Sequence, residues 1–245
     1  MAEVIGGVNA VASLLETSPQ LVLRLVVLSK GQNARVAQLL TSAKKLGLSV
    51  QHVDSKQIDK MAGQITHQGI LAEVKQLPAL SERDLDDAIA RTEEGGWLVL
   101  DGVTDPHNLG ACMRSAAAFG INGVIVPKDA SASINATVMK SSAGTALNTP
   151  FYRVTNLARA VSSLQKAGFW VYGADGGENS QSLAETTFDS RWVLIMGSEG
   201  KGMRQKTRDY CDYVVSIPMA ANVESLNVSV ACGILLHAAF QSASS

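Results

Sequence analysis

Ser216 to Leu236 reads S-I-P-M-A-A-N-V-E-S-L-N-V-S-V-A-C-G-I-L-L and passes from strand to helix through one bent loop. Its entry, Tyr213-Val214-Val215-Ser216-Ile217, is a β-branched run. Pro218 ends that run because proline brings no N–H to a ladder. A polar loop with Asn222, Glu224 and Ser225 follows. Helical spacing then sets in: Leu226, Val230 and Ile234 share one face, with Ala231, Leu235 and Ala238 beside them. Ser225 is placed as N-cap, so the loop delivers free backbone N–H groups at the positive end of a helix. A strand, a loop and a capped helix of small residues form a place where a ligand can touch backbone. An ordinary βα connection in an α/β protein would read the same way.

Working back from this stretch, strands and helices alternate from Trp97 onward. Strands are expected at Trp97–Leu100, Gly123–Val126, Phe151–Val154, Phe169–Gly173 and Trp192–Met196. Helices are expected at Leu109–Phe119, Asn135–Ser142, Asn156–Ala167 and Met203–Tyr210. Apolar strands, each followed by an amphipathic helix, predict a parallel sheet covered on both faces. Residues 1–75 form a smaller α/β unit with helix Val8–Glu16, strand Leu21–Leu28, a helix capped by Asn33 and closed by Gly47, strand Leu48–Val53, helix Ser55–Met61 and strand Ile70–Val74. Residues 76–94 lose the strand rhythm. Pro78 breaks the chain and Ser81 with Asp84 opens a short acidic helix, so this segment reads as a linker to a second domain at 95–245.

Composition narrows the function. With 46% hydrophobic and 18% charged residues over 245 positions, the chain reads as a soluble globular protein with one large or two modest domains. No apolar run is long enough for a membrane span, and the N-terminus lacks a secretory pattern. Cys112, Cys211 and Cys232 lie far apart with no metal-ligand spacing, which points to a reducing cytoplasm, no metal and apolar filler roles. A net charge of −1 gives no global footprint for nucleic acid, so such a partner must be held by local patches. One patch is Lys201, Arg204, Lys206 and Arg208, although Asp209 and Asp212 follow it. The turn His67-Gln68-Gly69 could present a base-reading edge; a plain surface turn is the simpler reading. Lys44-Lys45 reads as a solvated helix end.

In a parallel sheet, ligands bind beyond the carboxyl ends of the strands. Three loops there stand out. They are Asp101-Gly102-Val103-Thr104-Asp105-Pro106-His107-Asn108-Leu109-Gly110, Met196-Gly197-Ser198-Glu199-Gly200-Lys201-Gly202-Met203, and the loop before Ser225. Neither a P-loop nor a dinucleotide fingerprint fits, which disfavours an NTPase, a kinase or a nicotinamide oxidoreductase.

Taken together and in order, D-G-V-T-D-P-H-N-L-G-A-C-M-R-S-A, I-M-G-S-E-G-K-G-M and S-I-P-M-A-A-N-V-E-S-L-N-V-S-V-A resemble the three motifs of the SpoU-type (SPOUT class) ribose 2′-O-methyltransferases. The similarity runs the full length, through His67-Gln68-Gly69 and the helix start Asn156-Leu157-Ala158-Arg159. It implies S-adenosylmethionine as methyl donor, held in a deep trefoil knot with Gly197, Ile217 and Leu226 at the cofactor. It also implies Asn108 and Arg114 from the first motif, Glu199 from the second, and Ser225 and Asn227 from the third as catalytic-site residues. The first 75 residues resemble an RNA-binding domain of the ribosomal-protein-L-thirty type. The resemblance further implies a homodimer with a site shared across the interface. The implied substrate is a guanosine in the peptidyl-transferase region of 23S rRNA, naked or in an assembly particle. A tRNA ribose target, or a non-catalytic RNA-binding assembly protein on the same fold, are the alternatives.

The chemistry agrees. Methyl transfer from a sulfonium needs no metal; it needs an in-line approach and help in removing the ribose proton. Arginine stays charged, so Arg114 fits a phosphate grip better than a literal base. His107, an imidazole in the same motif, is the rival proton acceptor. Glu199 fits a role in orienting Asn108 or its loop.

Overall fold

The computed structural model describes residues 3–30, 34–63, 65–74, 79–177, 180–198, 202–220, 222–223 and 225–243. The expected cap Asn33 lies outside them. Up to residue 91 the elements are β1 (Glu3–Gly6), α1 (Val8–Thr17), β2 (Val22–Leu28), α2 (Ala34–Lys45), β3 (Val50–Val53), α3 (Ser55–Ala62), β4 (Ile70–Val74) and α4 (Glu82–Arg91). Then follow β5 (Gly95–Leu100), α5 (Pro106–Ala118), β6 (Gly123–Pro127), α6 (Ala136–Ser141), β7 (Phe151–Val154), α7 (Leu157–Lys166) and β8 (Trp170–Ala174). The chain closes with β9 (Gln181–Ser182), β10 (Arg191–Met196), α8 (Gln205–Arg208), β11 (Tyr213–Ser216) and α9 (Val228–Ala243).

Two compact units result: Met1–Pro78 with Ser133–Asn148, and Ala79–Ala132 with Thr149–Ser245. The first is built on a four-stranded mixed sheet, β1-β4-β2-β3, in which only β2 and β3 run parallel. Strand β1 and its place at the edge are absent from the sequence reading. Asp54 caps α3 through a reciprocal pair with Gln57. Helix α1 begins at Gly7, which has no side chain to cap with, and the Val8 N–H donates instead to Gln68 Oε1 at 3.0 Å. His67 is also committed: Nδ1 accepts from the Gly69 N–H at 3.0 Å and Nε2 meets Asp59 Oδ1 at 2.9 Å. The turn 67–69 therefore holds the unit's own backbone.

Residues 133–148, which the sequence places within the C-terminal domain, pack in this first unit through α6 against β1. Gly144 (φ +89°) lies directly against Ser13, where a Cβ would collide with that side chain.

The second unit carries a seven-stranded sheet, β7-β6-β5-β10-β8-β11-β9, with every pairing parallel. Trp97, Val99, Ile125, Val193 and Ile195 share one core with α7 residues Val161 and Leu164. The alternate residues Leu98, Leu100, Val124 and Leu194 are buried as well, as the two-residue period of a strand covered on both faces requires. On that side α5 pairs with α9. Helix α4, expected in a linker, belongs to this unit: Leu85 and Ile89 are buried in the core with Trp97 and Tyr152. Burying each such side chain is worth about 1.5–3 kcal/mol, enough to turn a connecting segment into part of the domain.

Helix α9 departs from its reading in two ways. It starts at Val228, with Asn227 as the capping residue in place of Ser225: the Asn227 side chain accepts from the Ser229 N–H at 2.9 Å, and its carbonyl accepts from the Ala231 N–H at 3.0 Å. Its buried side is Val228, Cys232, Leu235, Leu236 and Ala239, whereas Val230 (50%), Ile234 (39%) and Phe240 (47%) stand exposed.

Candidate active site

The loops after β8, β10 and β11 meet at the carboxyl edge of the sheet. After β10 the chain folds back on itself, with Ser198 and Gly202 exchanging two backbone hydrogen bonds of 3.1 Å. Gly197 is required by that turn. A Cβ there would overlap the Gly202 carbonyl carbon and lie 2.5 Å from its oxygen and from the Met203 nitrogen. The tip, with Glu199, lies outside the described residues.

Against this turn lies a cavity of about 370 Å³, lined by Gly197, Ile217, Ser225 and Leu226 together with Asp175 and others from β8, β11 and α9. Its size falls in the range of small-molecule sites, roughly 300–1,000 Å³. Its walls are mostly apolar (Met196, Val215, Ile217, Leu226, Val228, Leu235), and Asp175 is the one ionisable side chain among the described residues that line it. Such a lining suits an aromatic base with polar or cationic appendages.

A second cavity of about 600 Å³ shares Ser198 and Gly202 with the first and is otherwise lined by Gly102, Val103, Thr104, Asp105, Asn108, Ala130 and Arg204. Asp105 caps α5 by accepting from the His107 N–H at 2.9 Å. One turn in, the buried Asn108 accepts at Oδ1 from Asn227 Nδ2 at 3.1 Å. The first and third motifs are thereby tied by side chains. A buried bond from Thr207 Oγ1 to Asp101 Oδ2, 2.6 Å, ties the first motif to α8 behind the second.

The family model described as SpoU rRNA Methylase family matches residues 96–237. The chain belongs to the SpoU rRNA methylase family. A second model, RNA 2′-O ribose methyltransferase substrate binding, matches residues 4–80. The 23S rRNA (guanosine-2′-O-)-methyltransferase RlmB of Photorhabdus laumondii is 44% identical over 245 residues, covering 100% of both chains. The protein of the same name from Vibrio cholerae is 46% identical over 237 residues, 97% of this chain and 96% of that one. Among solved structures, the SpoU methyltransferase AviRb from Streptomyces viridochromogenes superimposes with a TM-score of 0.80 at 24% identity, over 99% of this chain and 90% of that chain. An RNA methyltransferase of the TrmH family from Porphyromonas gingivalis gives 0.73 at 26% identity, over 97% and 88%.

Within this SpoU domain, Gly197, Ile217, Ser225 and Leu226 come together at one cavity, and Asn108 with Asn227 beside it. Arg114 and His107 do not join them. Both are exposed on α5 and line neither cavity. They lie two turns apart on the same helix face, about 10 Å along the axis. The basic patch is also divided. Arg204 faces the second cavity, whereas Arg208 turns inward to pair with Asp175 at 3.3 Å. Lys201 lies outside the described residues.

The cysteines offer no nucleophile. Burial pushes the Cys211 thiol up to about 12, and Cys232, hydrogen-bonded to Cys112 and buried, is held well above its ordinary range. Asp175 and the Asp101–Thr207 pair escape sequence reasoning, and so does the pairing of Arg208, read there only as part of a basic patch. An Asp before two glycines reads as a turn, and a threonine inside a basic helix reads as surface.

Proposed function

We propose that this chain transfers a methyl group from S-adenosylmethionine to the ribose 2′-OH of a guanosine in the peptidyl-transferase region of 23S rRNA. The observation that carries the reading is the convergence of Gly197, Ile217, Ser225 and Leu226 on one apolar cavity, next to a second cavity bearing Asn108. The full-length relatives named as 23S rRNA guanosine-2′-O-methyltransferases support the target. The lining fits an adenosine: mostly apolar walls, a glycine turn that lets backbone approach, and the polar edge of Asp175.

S-adenosylmethionine supplies an activated methyl on a sulfonium. Gly197, Ile217 and Leu226 hold the nucleoside, while Ser225 and the Asn108–Asn227 pair set the floor against which the ribose is oriented. Arg114 grips an RNA phosphate beside the 2′-OH, and that phosphate would take the ribose proton as the methyl passes to oxygen and S-adenosylhomocysteine is left. Glu199 steadies the loop of the second motif.

Arg114 lines neither of the two cavities described above. The active form is therefore a homodimer in which the exposed faces of α5 and α9 meet and a second copy's Arg114 completes the site. The first unit, 1–78 with 133–148, reads the RNA as a fold of the ribosomal-protein-L-thirty type, and the second, 79–132 with 149–245, carries catalysis around a trefoil knot. The protein works in the cytoplasm, without a metal, on naked rRNA or on an assembly particle.

The test is methylation by purified protein of 23S rRNA, of assembly particles and of tRNA, with 2′-O-methyl positions mapped by resistance to alkaline cleavage. One protected guanosine in 23S rRNA is expected. Protection in tRNA alone would move the target, and no protection would leave an assembly protein. Leu226→Trp, which fills the first cavity, should abolish S-adenosylmethionine binding; retained binding would remove the cofactor from that cavity.

A further inference from the structure

We propose that Asp175, held in place by Arg208, anchors the ribose diol of the cofactor. The assignment rests on the reading that the first cavity holds an adenosine. Asp175 is the residue immediately beyond β8, and its N–H donates to Val215 O at 3.1 Å, which pins its backbone to the neighbouring strand. Its carboxylate is fixed from two sides. Oδ1 accepts from the Gly177 N–H at 3.1 Å, and Oδ2 accepts from Arg208 Nη1 at 3.3 Å.

An ionised carboxylate has about four acceptor positions, two on each oxygen. Each Asp175 oxygen has spent one on these bonds and keeps one. Two adjacent acceptors are what two neighbouring hydroxyl donors require. Of the three hydroxyls on the cavity wall, two are partly committed, Ser198 Oγ donating to Gly202 O at 3.3 Å and Ser216 Oγ to Gln181 O at 3.2 Å, and Ser225 brings a single oxygen where a diol needs an adjacent pair. The remaining lining is mostly apolar. Arg208 also selects between candidate ligand groups. Its guanidinium already balances the carboxylate charge, so acceptor capacity is what Asp175 has left to offer. That favours a neutral diol over the ligand's ammonium group. The glycine at 177 is needed for the clamp, since a Cβ there would lie 2.9 Å from Arg208 Nη1. A carboxylate held in advance loses little freedom when the ligand arrives.

The experiment is isothermal titration of wild type, Asp175→Ala and Asp175→Asn with three probes: S-adenosylhomocysteine, its 2′,3′-dideoxyribose analogue, and 5′-methylthioadenosine, which keeps the diol but lacks the amino-acid end. Wild type should lose about 10–100-fold in affinity when the diol is removed, the range for hydrogen bonds to a charged group. Asp175→Ala should lose a similar factor on S-adenosylhomocysteine and on 5′-methylthioadenosine, yet bind the dideoxy analogue as wild type does. Asp175→Asn, which keeps the side-chain shape, should show an intermediate loss on the two diol ligands and none on the dideoxy one. Losses that multiply for the Ala variant would show that Asp175 acts only through the fold and would overturn the proposal. A variant effect that vanishes with 5′-methylthioadenosine instead would reassign Asp175 to the amino-acid end. If wild type binds none of the three, the adenosine reading of the cavity itself falls.

Discussion

Asn227 uses its side-chain oxygen to cap α9 and its amide group to hold Asn108 on α5, 119 residues away in sequence. Removing it should cost about 1 kcal/mol for the cap alone. Asn108→Ala and Asn227→Ala should also couple by about 0.5–3 kcal/mol in a double-mutant cycle read by urea denaturation. Strict additivity would show that the bond between them carries no energy. Arg114 belongs at the same scale. On the proposed mechanism Arg114→Ala should lower kcat and kcat/KM together by about 10²–10⁴-fold with cofactor affinity unchanged. Arg114→Lys should rescue little, because one ammonium cannot reproduce the planar fork. His107→Ala should be mild; a lost pH–rate limb in the imidazole range would make His107 the base. Much of this site was legible, because Gly197, Ile217 and Leu226 sit inside long ordered motifs. The cap was not. Ser225 and Asn227 are equally good capping types, and the choice is made by a tertiary bond to Asn108 that no local pattern contains.

Helix α9 shows why an element can be found while its orientation is missed. It is apolar nearly all round, so periodicity offers no single buried stripe. The exposed row Val230 and Ile234, in step with Leu226 just before the helix, is as regular as the row Val228, Cys232, Leu235 that packs inward. The exposed row acquires a purpose if a second copy covers it. Ile234→Asp should then yield a folded monomer by sedimentation and circular dichroism, with rRNA methylation lost; an unchanged dimer would place the interface elsewhere. Helix α4 carries a different signal. Glu82 Oε1 accepts from the Thr155 N–H at 2.5 Å and the Asn156 N–H at 3.2 Å, with Arg159 nearby. The two backbone bonds hold its carboxyl below the usual glutamate range. A carboxylate lowered on folding stabilises the protein above its unfolded pKa, and that contribution is lost as pH falls through the folded one. The urea midpoint of Glu82→Gln should therefore trail wild type by a constant margin above about pH 5 and converge with it below, given an unfolded glutamate near 4.3. A margin that stays constant down to pH 3 would show that the carboxyl contributes no charge-linked stability.

For the whole molecule, the alternation of strand and helix predicts six of the seven strands of the parallel sheet and misses only the two-residue edge strand β9, because buried strands and capped helices are local patterns. The domain boundaries are not local. A fragment starting at Glu93 looks natural on the sequence, but it strips Leu85 and Ile89 from the core of the second unit. A fragment starting at Ala79 should melt several degrees higher than one starting at Glu93; equal melting temperatures would return α4 to the role of a tether. Both fragments keep 133–148, whose packing partners are in the first unit. That excursion also bears on how the protein is made. The chain leaves the ribosome from its N-terminus, yet the first unit remains short of α6 until Asn148 has been synthesised, roughly 70 residues after Pro78. At about 5–20 residues per second this is a delay of about 4–14 s. During that interval β1, Ser13 and the pocket for Gly144 face solvent while the strands of the catalytic sheet begin to emerge beside them. Chaperone occupancy on translating ribosomes should peak in that window and fall once the segment closes.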